Sequence, residues 1–156
     1  MGFPRFTGKV LKALKNIVCN GFIFEPELVL VLLMLNLRQK FGKFGEDLAV
    51  RYLKKMGYKV LCRNYRTRFG EIDIIAKDAD TIVFVEVKSR RTSTFGHPKY
   101  SITHKKQERI SKTALYYLKI NDQSNCRARF DVVTVNSADK KTDVEIIKNA
   151  FELVYK

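Results

Sequence analysis

Between residues 41 and 58 the chain runs FGKFGEDLAVRYLKKMGY, with Phe44, Leu48, Tyr52 and Met56 four apart and Ala49 and Leu53 widening the stripe. That spacing predicts an amphipathic helix with one apolar face, stopped at Gly57. KVLCRNYR, residues 59–66, follows as a strand. GEIDIIAKDADTIVFVEVKSR, residues 70–90, reads as two very apolar strands joined by a short polar turn. A loop rich in Ser, Thr, Gly and Pro, RRTSTFGHPKYSIT, leads to a second helix, HKKQERISKTALYYLK. In it Ile110, Ala114 and Tyr117 face inward, while Lys105, Lys106, Arg109 and Lys112 lie largely outward. RFDVVTV, residues 129–135, is a continuous apolar run of the kind buried on both faces. VEIIK adds an edge strand, and NAFELVYK a terminal helical turn.

The order helix, three strands, helix, strand defines an α/β domain. A helix between the third and fourth strands is a crossover, so those two strands run parallel, and the first three form an antiparallel meander. The expected architecture is a mixed sheet of four to five strands flanked by helices. No internal repeat interrupts it.

Residues 1–40 differ from 41–156. Lys9, Lys12 and Lys15 recur at helical spacing ahead of LVLVLLML, residues 28–35. That run is too short to cross a bilayer, and no small-residue cleavage site follows it. Three readings stand: an extra helix, a membrane-surface helix, or a translation start at Met34, the one favoured. The domain proper is expected from residue 41 onward.

Lys and Arg outnumber Asp and Glu 30 to 16 in 156 residues, a formal charge of +14. So large an excess points to an anionic partner, most simply nucleic acid. Cys19, Cys62 and Cys126 make neither a disulfide framework nor a metal motif, which fits a reducing cytoplasm. His97 and His104 match no zinc spacing and read as loop or helix-cap residues.

The hairpin poses the chemical question, because Glu71, Asp73, Glu86 and Lys88 lie within strands otherwise made of Ile, Val and Phe. Buried charge is costly unless paired or bound. A four-residue loop, KDAD at 77–80, would pair Ala76 with Thr81 and set Asp73 opposite Phe84 and Glu71 opposite Glu86. All four charges then share one face, with Asp73 a diagonal step from Glu86. A one-residue slip would separate them. Neighbouring carboxylates repel unless protonated or bridged by a cation, and oxygen ligands without Cys or His suit Mg²⁺ or Mn²⁺. With a lysine beside them on a basic protein, they suggest phosphodiester hydrolysis.

The stretches FGEDLAVRYLKKMGY, RNYRTRFGEIDIIA, VFVEVKSR, RFDVVTV and the terminal NAF resemble the YraN-type family of predicted endonucleases, within the restriction-endonuclease-like superfamily. More distantly, the chain is similar to archaeal Holliday-junction resolvases, which share a first-helix glutamate, an Asp on the second strand and E-x-K on the third. The resemblance implies a restriction-endonuclease-like core in which Asp73 and Glu86 bind the metal and Lys88 is the catalytic lysine. The first-helix glutamate would be Glu46, a further catalytic and metal-binding candidate. Glu71 also fits the family pattern, either on a second metal or flanking the site.

For substrate contact, Arg90, Arg91 and Lys99, with Phe95 and Tyr100 interleaved, make a basic loop beside the lysine strand, and Lys105, Lys106 and Arg109 a basic helix start. Asp131 reads as structural. The expectation is a Mg²⁺- or Mn²⁺-dependent endonuclease on structured or branched DNA, since no base-reading motif is present. The alternative is a catalytically silent nucleic-acid-binding adaptor in repair, recombination or uptake. Symmetric cutting of two strands would need a homodimer.

Overall fold

The computed structural model describes residues 26–91, 102–138 and 141–154. The chain divides into two units, Met1–Lys40 and Phe41–Lys156. Helix α1, Pro26–Lys55, contributes residues to both. In its first part Val29 is buried, while Leu28, Leu32, Met34 and Leu37 are exposed. No helix among the described residues is long and apolar enough to cross a membrane.

The second unit is built on a five-stranded sheet of order β1-β2-β3-β4-β5. The strands are β1 (Lys59–Thr67), β2 (Gly70–Asp78), β3 (Thr81–Arg90), β4 (Ala128–Ala138) and β5 (Lys141–Phe151), and helix α2 (His104–Ile120) lies between β3 and β4 in sequence. β3 and β4 pair in parallel, and every other pair is antiparallel. This mixed α/β sheet agrees with a restriction-endonuclease-like core.

Each face of the sheet buries its own apolar set. Ile74, Ala76, Val83, Val85 and Val133 pack with Ala49, Val50 and Leu53 of α1. Ile75, Ile82, Phe84 and Phe130 pack with Ile110, Ala114 and Leu118 of α2. Each Val, Leu, Ile or Phe among them contributes about 1.5–3 kcal/mol when taken out of water, so β3, buried from Ile82 to Glu86, anchors the unit. α1 ends where Gly57, at φ 88°, adopts the left-handed turn. The bonds Tyr58 N–H to Leu53 O and Gly57 N–H to Lys54 O close the helix as a Schellman cap.

Three expectations change. The buried stripe of α1 is centred on Ala49, Val50 and Leu53, whereas Phe44 and Met56 are 44% and 52% exposed; the docking face is turned toward small side chains that let the helix approach the sheet. The β2–β3 connection is the two-residue Ala79–Asp80 rather than KDAD, with Asp78 paired to Thr81. Arg129 holds Asp78 in the strand at 2.6 Å, and Ala79 makes the turn at φ 48°. Finally, Asn149, Ala150 and Phe151 continue β5 and form no helix. Phe151 stacks on Phe130 at 4.7 Å, and Asn149 at φ 51° sits in the bulge that permits the extension.

Candidate active site

The two-residue turn moves the hairpin register by two, which preserves which side chains share a face. The ladder runs from Asp78↔Thr81 to Ile74↔Val85, and one step further the same register sets Asp73 directly opposite Glu86. There the side chain takes over, as the Val87 N–H donates to Asp73 Oδ2 at 2.7 Å.

The alternation of β2 breaks at Asp73. Ile74 and Ala76 point into the α1 core, yet Ile72 joins Ile75 in the α2 core. Arg63 pairs with Ile74 and Tyr65 with Ile72, so the intervening Asn64 lies across from Asp73; its backbone is left-handed at φ 51°. The irregularity moves Glu71 away from the pair. Its carboxylate meets Arg66 at 3.3 Å and is half exposed.

Glu86 is 4% exposed. Lys88 Nζ donates to its Oε1 at 2.8 Å, and Lys106 Nζ, from the first turn of α2, lies 3.4 Å from its Oε2. Even so, Oε2 is a buried carboxylate oxygen with no hydrogen-bond donor. Burial, and then the neighbouring Glu86 carboxylate, push the Asp73 carboxyl up to about 7, with Glu46 adding to the rise and Lys106 and the Val87 N–H opposing it.

Glu46 reaches the site because α1 docks closely. A Cβ on Gly45 would come 2.8 Å from Ser89 Cβ, so only glycine admits this approach to β3. Asn64 Nδ2 donates to Glu46 Oε2 at 3.2 Å. Next to it Asp47 pairs with Arg63, whose hydrogen bond holds the Asp47 carboxyl below the ordinary carboxylate range.

The oxygen-only donor set and the undonated Glu86 Oε2 fit a hard divalent cation. Asp73 and Glu86 would be its side-chain ligands. Among the described residues no three His, Cys, Asp or Glu side chains surround one point, so Glu46 stands nearby and Glu71 apart.

Of the expected substrate contacts, Lys106 turns inward to Glu86, Lys105 is exposed, and Arg109 lines a cavity of about 260 Å³ with Arg66, Gly70, Glu71 and Lys106. Arg90 ends β3, and Arg91 lies 4.7 Å above the Phe41 ring. Lys99, Phe95, Tyr100 and His97 lie outside the described residues. Asp131 is fully buried, accepting from Arg129 Nε at 3.0 Å and from the Asn149 N–H at 3.0 Å, a clamp on the β4–β5 bulge. Cys62 and Cys126 are free thiols. His104 opens α2, and Thr103 caps it.

Asn64 and Gly45 were absent from the sequence-based set. The available signal was small: an Asn inside a strand tolerates the left-handed region, and a Gly inside a helix allows close approach.

Fold and site together define an α/β domain with a carboxylate pair, Glu86 buried and Asp73 half-buried, and a lysine at the end of a β-hairpin. The chain belongs to the UPF0102 family, the YraN-type family: the model of the uncharacterised protein family UPF0102 matches residues 45–135. A UPF0102 protein of Desulfosudis oleivorans is 57% identical over 119 residues, covering 76% of this chain and 95% of the relative. One from Syntrophus aciditrophicus is 54% identical over 114 residues, covering 73% and 90%. Another, from Caldicellulosiruptor saccharolyticus, is 48% identical over 116 residues, covering 73% and 98%.

Proposed function

We propose that this protein is a Mg²⁺- or Mn²⁺-dependent endonuclease that hydrolyses phosphodiester bonds in structured or branched DNA. The observation that carries the proposal is Glu86 Oε2, buried without a donor beside an Asp73 whose carboxyl burial has pushed up.

Asp73 and Glu86 are the residues that would hold the cation, and the Val87 N–H fixes the Asp73 carboxylate in place. When bound there, a divalent cation would supply Lewis-acid chemistry toward the phosphoryl group and a water. Lys88, now on Glu86 Oε1, supplies the positive charge that meets the negative charge developing on the phosphoryl oxygens. Glu46, oriented by Asn64, is placed to accept a proton from the attacking water. Water oxygen bonds to phosphorus, the P–O ester bond breaks, and the leaving oxygen takes a proton from solvent water. The excess of positive charge draws in the polyanion. Free thiols at Cys62 and Cys126 suit a reducing cytoplasm.

The adaptor reading draws on one observation, that Lys88 and Lys106 both neutralise Glu86. Labelled duplex, nicked, flapped, single-stranded and four-way-junction DNA, incubated with the full chain in Mg²⁺, Mn²⁺ or EDTA, separates the two. Metal-dependent cutting that Lys88→Ala abolishes supports the nuclease; salt-sensitive binding without cutting in either metal supports the adaptor.

A further inference from the structure

The β1–β2 turn and the outer side of α2 carry aromatic and basic side chains that neither the core nor the carboxylate site uses. Arg68 stacks 4.8 Å above the Phe69 ring, and Phe69 lies 5.8 Å from Tyr116 at an interplanar angle of 59°. Tyr116 is 40% exposed and Ile120 53%. Two adjoining cavities of about 530 and 740 Å³ share Arg68, Tyr116 and Ile120. Arg66 lines the first, and Lys112 and Lys119 the second. Two acids touch this group: Glu108 pairs with Lys112 at 2.6 Å and Glu71 with Arg66 at 3.3 Å.

This surface connects with the carboxylate site. The smaller cavity of about 260 Å³ shares Arg66 and Thr67 with its neighbour and is also lined by Lys106. Lys106 Nζ in turn lies 3.4 Å from Glu86 Oε2. Basic residues therefore run from the aromatic platform to the proposed reaction centre, with Glu71, paired to Arg66 at 3.3 Å, as the acid on the way.

We propose that this face is a binding track for a single-stranded arm of nucleic acid, seating bases on Tyr116 and Phe69 and phosphates on Arg66, Arg68 and Lys119. An exposed Tyr116 ring beside a half-buried Phe69 in a basic groove favours unpaired bases, because a base inside a duplex has both π-faces occupied by its neighbours. A duplex would meet only the cations. The proposal rests on the nuclease reading for its meaning and narrows it to DNA with an unpaired arm beside the cut.

The test measures binding of the full chain, in EDTA so that nothing is cut, to fluorescent oligo-dT and to a blunt hairpin duplex by anisotropy. The expected result is that Tyr116→Ala weakens oligo-dT binding about tenfold and leaves duplex binding within about twofold, the ordinary range for a surface change away from the contact. Tyr116→Phe should bind like the parent. The double variant Arg68→Gln, Lys119→Gln, which leaves the rings in place, should weaken oligo-dT binding and flatten its salt dependence. Unchanged oligo-dT affinity in Tyr116→Ala, equal losses for strand and duplex, or displacement of oligo-dT by polyglutamate as readily as by unlabelled strand would each overturn the track. Single-strand binding here without cutting in any metal would sink the nuclease reading and keep the track. Cutting that persists with Tyr116→Ala binding intact would do the reverse.

Discussion

Asn64 and Glu46, from β1 and α1, are joined by a 3.2 Å hydrogen bond at the level where Asp73 faces Glu86. Asn64 makes that bond from a left-handed backbone at φ 51°, a conformation costing most L-residues about 1–2 kcal/mol. A strand that keeps such a residue opposite the half-buried Asp73 gains a fixed partner for Glu46.

Replacing Asn64 separates the two roles. Asn64→Gly should hold thermal stability near the parent's, because glycine accepts this backbone freely. Asn64→Ala should lose about 1 kcal/mol. Both should reduce cleavage, since each leaves Glu46 without its donor. Melting curves and initial rates check this, and full cleavage by Asn64→Gly would remove Asn64 from the site.

Gly45 predicts a steric pair. Gly45→Ala presses a methyl group onto Ser89 and should cost about 1–3 kcal/mol, as overpacking does. Adding Ser89→Gly should restore much of that loss. Chemical denaturation of the single and double variants measures the coupling; additive losses would contradict the close approach.

Lys106 competes with a cation for Glu86 Oε2. Lys106→Met should therefore tighten Mn²⁺ binding, by about three- to tenfold for removing a partly buried ion pair. Calorimetric titration reads this directly, and weaker binding would show that Lys106 supports the ion site.

The Asp73 carboxyl sits at about 7, raised first by burial and then by Glu86, whereas an unfolded Asp titrates near ~3.9. Between those values the folded chain keeps a proton that the unfolded chain gives up. This group's contribution to stability therefore falls as pH rises from about 4 to 7, and the penalty is complete above 7. Without metal, Asp73→Asn should gain stability relative to the parent between pH 5 and pH 8, on the order of 1 kcal/mol or more. Melting both proteins in EDTA at the two pH values tests it; an equal difference at both would place the Asp73 titration elsewhere.

The sequence showed which charges converge because strand faces depend only on parity. The turn is two residues shorter than KDAD suggested, but a shift of two leaves Asp73 and Glu86 on one face. Parity failed for Glu71, because the break at Asp73 arises from the left-handed Asn64 on the neighbouring strand, a cross-strand event that no local pattern records. Helical periodicity located only the part of α1 from residue 41 onward, missing its start at Pro26, and favoured its bulky members, whereas the sheet selected Ala49 and Val50 because they allow close approach. NAF was short enough to suit a helical turn, and its strand conformation comes from Phe151 stacking on Phe130. Lys106 was visible as a basic surface residue; its contact with Glu86 depends on how the crossover returns α2 to the sheet.

The central claim is that Asp73 and Glu86 hold a divalent cation, and titrating Mn²⁺ into the metal-free full chain at pH 8, where Asp73 is ionised, tests it most directly. Saturable binding of one ion, lost in Glu86→Gln and in Asp73→Asn while both variants remain folded, is the result expected. Absence of saturable binding at millimolar Mn²⁺, or binding that survives both substitutions, would contradict it.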